Sequence, residues 1–287
     1  MRCERLYFFA IFDKRFHSVR MTHIFGRERR LFPPVTMNCK AAIITAVKVE
    51  TDSVMCLYDN WKKVTFYGDA QEYYQASFSR NGKEYSLVTA QQNTMGMTAA
   101  AFLSAEIMSR FHPEYLMMCG IAAGLGPESE QIYGDVMIPD TVWNCASGKF
   151  TAPKDPAISF GEVGFLPRPV SLSLDPSLLE IVKSLKGHCE FELNIGPTAC
   201  GTSVVASREF IEKRILSFMP GTIGLDMESY GVFYAAANAP QPQPKAIVIK
   251  GICDYADEQK SDRYQKFAAY NSSMFTKFLL ENFLTRS

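Results

Sequence analysis

Three features of this 287-residue chain predict an α/β fold of three layers around a mixed central sheet. From residue 40 onward, short apolar runs rich in β-forming residues alternate with longer segments of helical period. Several of these runs are apolar throughout, as strands buried on both faces are. Acidic residues stand where such runs hand over to helices, at the rim where open α/β sheets hold ligands.

The elements follow in chain order. Residues 41–47, Ala-Ala-Ile-Ile-Thr-Ala-Val, read as the first strand, and a helix starts near Glu50. Residues 85–90 form a second strand, and Asn93-Thr94-Met95-Gly96 then leads into an Ala-rich helix over 97–111. The strand at 115–121 runs into the small residues Gly120-Ile121-Ala122-Ala123-Gly124, and Gly134 precedes a strand at 135–142. Residues 153–169 are rich in Gly and Pro without clear period and read as a surface or lid loop. A helix over 176–185, a strand over 195–200, a helix over 207–218 and a strand over 222–225 come next. An Ala-rich helix over 230–238 ends at the connector Gln241-Pro242-Gln243-Pro244. The strand at 245–252 and a helix over 261–283 complete the alternation.

Composition narrows the function. Formal charge is zero and the sequence pI is about 6.9, so the chain as a whole carries no electrostatic footprint for nucleic acid. The first 39 residues are locally basic, with eight Arg and Lys against Glu4, Asp13 and Glu28. They are expected to be a poorly ordered extension, the alternative being a membrane-surface or partner-binding arm. The catalytic domain is expected over 40–287. No apolar run approaches the roughly 20 residues of a membrane helix, so no membrane partner is expected. The eight cysteines include no Cys-x-x-Cys pair, and the four histidines show no ligand spacing. Reduced thiols, a cytoplasmic location and no metal are the expectation.

Asp254 closes the apolar run at 245–252, Glu228 follows the run at 222–225, and Glu50 follows the first strand. Three carboxylates at three strand-to-helix junctions suit a hydrolytic or transfer site, one as acid, one as base and one holding hydroxyls. Each has a structural alternative: Glu50 and Glu228 as first-turn acids facing a helix dipole, and Asp254 as a helix cap. The segment 118–126 could admit a ligand close to the backbone or simply pack tightly, since it lacks the spacing of a phosphate-binding loop. Asn93 to Gly96 could bind an anion at a helix start or act only as a cap.

The order of these motifs resembles the nucleoside phosphorylase superfamily over about 41–284, most nearly its methylthioadenosine/S-adenosylhomocysteine nucleosidases and the related immune-associated nucleosidase-like domains. Ala46-Val47-Lys48-Val49-Glu50 is similar to the segment that ends in the family's catalytic glutamate. Asn93-Thr94-Met95-Gly96-Met97 takes the place of its Gly-x-Gly turn, and Gly120 to Leu125 that of its Thr-Gly-x-Ala-Gly-Gly-Leu loop. Gly134-Asp135-Val136, Asp226-Met227-Glu228 and Cys253-Asp254 match three further short motifs. The resemblance implies a nucleoside phosphorylase-like sandwich that needs no cofactor and works as a homo-oligomer, a neighbour closing the 5′ side of the pocket. It implies that Asp254 protonates a purine N7, that Glu228 holds the ribose hydroxyls, that Met227 packs on the sugar and that Glu50 handles the attacking water. Asn93, Gly96, Ala122, Gly124 and Thr202 would line the substrate site.

The departures from the family pattern bear on substrate and nucleophile. Phosphorolytic members carry Gly-Asp-Pro-x-Arg after the first strand, whereas this chain reads Thr45-Ala46-Val47-Lys48, which implies water as nucleophile. Cys200-Gly201-Thr202-Ser203-Val204-Val205 replaces the Ser-Gly-Asp-x-Phe stretch that carries an aromatic against the base, leaving base specificity open. The stretch 254–264 is more like the immune-associated domains, some of which act on nucleotides including ATP. Lys48, Arg168, Lys260 and Arg263 are then candidates for a 5′-phosphate, the alternative being solvated surface charge. The expected activity is hydrolysis of the N-glycosidic bond of an adenine nucleoside or nucleotide. Two alternatives stand beside it: phosphorolysis, with Arg110 or a neighbouring subunit holding phosphate, and a catalytically silent nucleoside-sensing or assembly domain.

Overall fold

β-Branched and apolar residues close both faces of the central strands, which is why the helices lie above and below the sheet. The computed structural model describes residues 38–127, 130–151 and 164–285. The N-terminal extension therefore lies outside the described residues except for Asn38 and Cys39; Cys39 is buried, with its amide donating to Phe111 O.

β1 (Ala41–Thr45) is buried at every position and leads into α1 (Lys48–Met55). β2 (Lys62–Val64), β3 (Tyr73–Arg80) and β4 (Lys83–Gln91) form an antiparallel meander, followed by α2 (Met97–Phe111). β5 (Tyr115–Gly124) and β6 (Val136–Asn144) come next, then the hairpin of β7 (Gly148–Thr151) and β8 (Gly164–Pro167), and β9 (Ser171–Ser173). α3 (Pro176–Ser184) is capped by Asp175, which accepts from the Ser177 and Leu178 amides. β10 (Leu193–Cys200) precedes α4 (Arg208–Phe210), one turn that continues as a π-helix over Ile211–Leu216. β11 (Gly224–Asp226), α5 (Ser229–Ala237), β12 (Lys245–Asp254) and α6 (Gln265–Asn282) complete the unit.

The ten-stranded mixed sheet runs β11-β10-β6-β12-β5-β1-β4-β3-β2, with β9 paired to β6. β1, β4, β5 and β12 run parallel, so their C-terminal ends point to one side. β11 turns back to pair antiparallel with β5 at Gly224↔Gly124, which closes β5, β12, β6, β10 and β11 into a ring. α1 and α6 pack together on one flank, while α2 and α5 pack together through close backbone contact. A Cβ on Gly231 would come within 2.0 Å of Met97 O, so only glycine allows α5 that near to α2.

The structure departs from the expected elements at five places. The first strand stops at Thr45 rather than 47, because the Ala46 and Val47 amides turn to the Glu50 carboxylate. The helix expected over 207–218 is mostly π-helix, and the strand expected at 222–225 starts at Gly224. Ser261 does not open the last helix: a 3₁₀ turn over Asp262–Tyr264 precedes α6. The expected loop over 153–169 contains β8 at its end, and residues 152–163 lie outside the described set.

Candidate active site

The C-terminal ends of β1, β5, β11 and β12 surround a cavity of about 520 Å³. Glu50, Glu228 and Asp254 all line it, with Met227, Ala122 and Ala123 among the other wall residues. The small side chains after β5 leave this volume open, while Met95 and Val204 stand exposed at its edge.

Glu50 lies in the first turn of α1, yet its carboxylate faces inward and is 1 % exposed. Oε2 accepts from the Ala46 and Val47 amides at 2.6 and 3.2 Å, and Oε1 accepts from the Ile121 amide at 2.8 Å. A carboxylate has about four acceptor sites, so three amides leave one for a water. Burial pushes its pKa above the usual range; Lys250 and the amides pull back, and Glu228 adds to the rise. A carboxylate raised in this way suits general-base work nearer neutrality.

Lys250 explains why several buried acids can share one site. It sits inside β12 with no exposure, its Nζ 3.3 Å from Glu228 Oε2 and 3.7 Å from Asp226 Oδ2. Burial would depress its pKa, but attraction by Glu228, Glu50 and Asp226 outweighs that and holds the ammonium charged. Sequence reading assigned Lys250 no role. The available signal was its position in an apolar strand, because a lysine buried there needs acidic partners.

Glu228 occupies the residue before α5 without capping it. Its Oε1 accepts from the Gly96 amide at 3.0 Å, and its Oε2 faces Lys250. Asp226 does the capping: Oδ1 accepts from Ser229 Oγ at 2.6 Å, and the Ser229 amide lies 3.1 Å from Oδ2. Burial raises the Asp226 pKa, Lys250 opposes that, Glu228 reinforces it and Ser229 lowers it. Asp254 ends β12 and caps no helix; its Oδ1 accepts from the Ala256 amide at 2.9 Å, and its Oδ2 meets Lys260 Nζ.

The remaining predicted residues divide. Gly96 is not a wall residue and bears on the site through the hydrogen bond its backbone N–H donates to Glu228 Oε1. Asn93, Gly124 and Thr202 are not wall residues of this cavity: Asn93 borders a separate polar hollow with Gln71 and Gln92, Gly124 is enclosed by Gln131 and Ile252, and Thr202 is solvent-exposed. Of the phosphate candidates, Lys48 and Lys260 line the cavity, whereas Arg168 and Arg263 do not. Arg110, proposed for inorganic phosphate, is held 2.7 Å from Asp69 with its guanidinium over Phe66. Lys260, weighed against a solvated surface charge, is instead largely covered and ion-paired.

Residues 40–284 match the Phosphorylase superfamily. The chain is 29 % identical over 241 residues to the uncharacterised protein y4jS of Sinorhizobium fredii, covering 79 % of this chain and 57 % of that protein. It is 24 % identical over 271 residues to the ATP nucleosidase Cap17 of Escherichia coli (strain KTE188), covering 84 % and 50 % respectively. The chain thus spans about half the length of these two relatives. Among solved structures, the Helicobacter pylori 5′-methylthioadenosine/S-adenosylhomocysteine nucleosidase superposes with a TM-score of 0.68 at 18 % identity, covering 85 % of this chain and 99 % of that one. This likeness shows the shared fold, a mixed α/β sandwich with the same central sheet. With the family match running across residues 40–284, the chain belongs to the phosphorylase superfamily.

Proposed function

We propose that the chain is a purine N-ribosyl hydrolase acting on an adenine nucleoside or nucleotide. The observation that carries this reading is the meeting of Glu50, Glu228 and Asp254 in one cavity. Names among the relatives support it: Cap17 is an ATP nucleosidase, and a Marinomonas relative at 26 % identity is a methylthioadenosine/S-adenosylhomocysteine nucleosidase.

In this reading Glu228, fixed by Lys250 and the Gly96 amide, accepts the ribose hydroxyls, and Met227 packs against the sugar. Asp254 carries a proton to purine N7 as the C1′–N9 bond breaks, so the base leaves neutral. A water held by Glu50 forms the new C1′–O bond and passes one proton to that carboxylate. Both carboxyl groups then exchange with solvent to restore the starting state. Proton transfer of this kind is worth roughly 10²- to 10⁴-fold. The acidic walls also favour the positive charge that develops on the sugar.

Water is favoured over phosphate because Thr45-Ala46-Val47-Lys48 after β1 carries no arginine and Arg110 lies off the cavity wall, tied to Asp69. The test is base release from adenosine, methylthioadenosine, inosine, AMP and ATP, with and without inorganic phosphate. Phosphate-independent release is expected. Release that requires phosphate would make the protein a phosphorylase, and silence across the panel would support a sensing or assembly role.

A further inference from the structure

Asp254 is already engaged at both oxygens before any base reaches it. Oδ1 accepts from the Ala256 amide at 2.9 Å, while Oδ2 meets the Lys260 ammonium and lies 3.3 Å from the Cys253 thiol. A purine N7 can take Oδ2 only where the ammonium gives it up. Lys260 therefore stands between the proposed proton donor and its substrate.

The surroundings show what can move. The turn before Lys260 is fixed by backbone bonding: the Lys260 amide donates to Asp257 O at 3.2 Å, and the Gln259 amide to Asp257 Oδ1 at 3.0 Å. The side chain beyond Cα is a four-carbon stem with three rotatable N–H donors at its tip, a point charge that can change partners without a change of backbone. It is 26 % exposed, on the cavity wall and at the solvent margin. Lys48, the other cation on this wall, is 81 % exposed and bound to Asp52 within its own helix. Among the described residues, Lys260 is thus the cation on the cavity wall that reaches the proposed base-binding group.

The shape of a purine nucleotide supplies the partner. In the anti form, N7 and the 5′ oxygen lie along the same edge of the molecule. A 5′-phosphate therefore projects towards whatever holds N7. A phosphate also offers more negative charge and more acceptor oxygens than a single carboxylate.

We propose that Lys260 is a specificity-determining switch: a 5′-phosphate or polyphosphate draws its ammonium from Asp254, so phosphate binding and release of Oδ2 for N7 occur in one exchange. One ion pair is lost and another forms, and the freed Oδ2 takes up a proton from solvent, which it then delivers to N7. A nucleoside lacking the 5′-phosphate has nothing to offer the ammonium and meets an occupied carboxylate. This rests on the hydrolase reading of the cavity and adds to it a preference for nucleotides over nucleosides.

The experiment compares AMP with adenosine in the wild type, Lys260→Met and Lys260→Arg, through kcat/KM for base release and calorimetric binding. The wild type is expected to prefer AMP. In Lys260→Met that preference should fall at least tenfold, AMP losing and adenosine gaining, whereas Lys260→Arg should keep most of it. Equal factors for both substrates would overturn the proposal. A loss confined to AMP, with adenosine unmoved, would reduce Lys260 to a phosphate contact and overturn the switch. Binding separates this from the hydrolase reading itself. A wild type that releases no base but binds AMP more tightly than adenosine, with the difference erased in Lys260→Met, would keep the exchange and discard the hydrolase; binding of neither ligand would discard both.

Discussion

At the residue scale the site turns on Lys250. One buried ammonium faces Glu228 and Asp226 directly and lowers the electrostatic cost of Glu50. Removing one member of such a buried cluster typically costs about 3–5 kcal/mol, because the remaining charges lose their compensation. Lys250→Met is therefore expected to lower stability by about that amount in denaturant unfolding, and Lys250→Arg by less. The pH profile should move as well. Burial raises the pKa of Glu50 and Lys250 opposes the rise, so a mechanism that needs Glu50 ionised has an acid limb above the ordinary glutamate range. Without Lys250 that opposition is gone, and the limb should shift to higher pH in folded Lys250→Met. A limb that stays in place would show that Glu50 is not the titrating base.

At the scale of elements, the approach of β5 to α1 is set by a missing side chain. A Cβ on Gly120 would lie 2.2 Å from Glu50 Oε1, so glycine is required for the carboxylate to reach the Ile121 amide. Gly120→Ala should displace Glu50 at a stability cost of about 1–3 kcal/mol, as overpacking usually does. Turnover should fall by about 10²-fold, the scale of loss that a misplacement of about 1 Å can cause. Steady-state kinetics beside a melting curve checks both, and a variant with full kcat would remove Glu50 from the mechanism. The strands β1, β5 and β12 were legible because each carries an unbroken apolar run, 246–249 in β12. β3 was missed because Tyr73-Tyr74-Gln75-Ala76-Ser77-Phe78 buries only Tyr73 and Ala76, without the alternation that marks a half-buried strand. β9 is three residues, Ser-Leu-Ser, too short to show a period.

At the scale of the molecule, the parallel order of β12, β5 and β1, with β11 turned back onto β5, brings residues 50, 228 and 254 to one cavity although Glu50 lies far from the other two in sequence. Sequence could nominate these acids because each follows an apolar run. It could not show that Lys250 compensates them or that Lys260 occupies Asp254, since both depend on contacts across separate elements. Nor could it separate Ala122 and Met227, which line the cavity, from Asn93, Gly124 and Thr202, which do not. The claim that joins the site to a reaction is proton delivery by Asp254. Its most direct test is single-turnover base release from saturating AMP by the wild type and by Asp254→Asn, with AMP binding measured in parallel. The account predicts a fall in rate of about 10²- to 10⁴-fold with binding retained within a few-fold; an Asp254→Asn variant that releases base at the wild-type rate would contradict it.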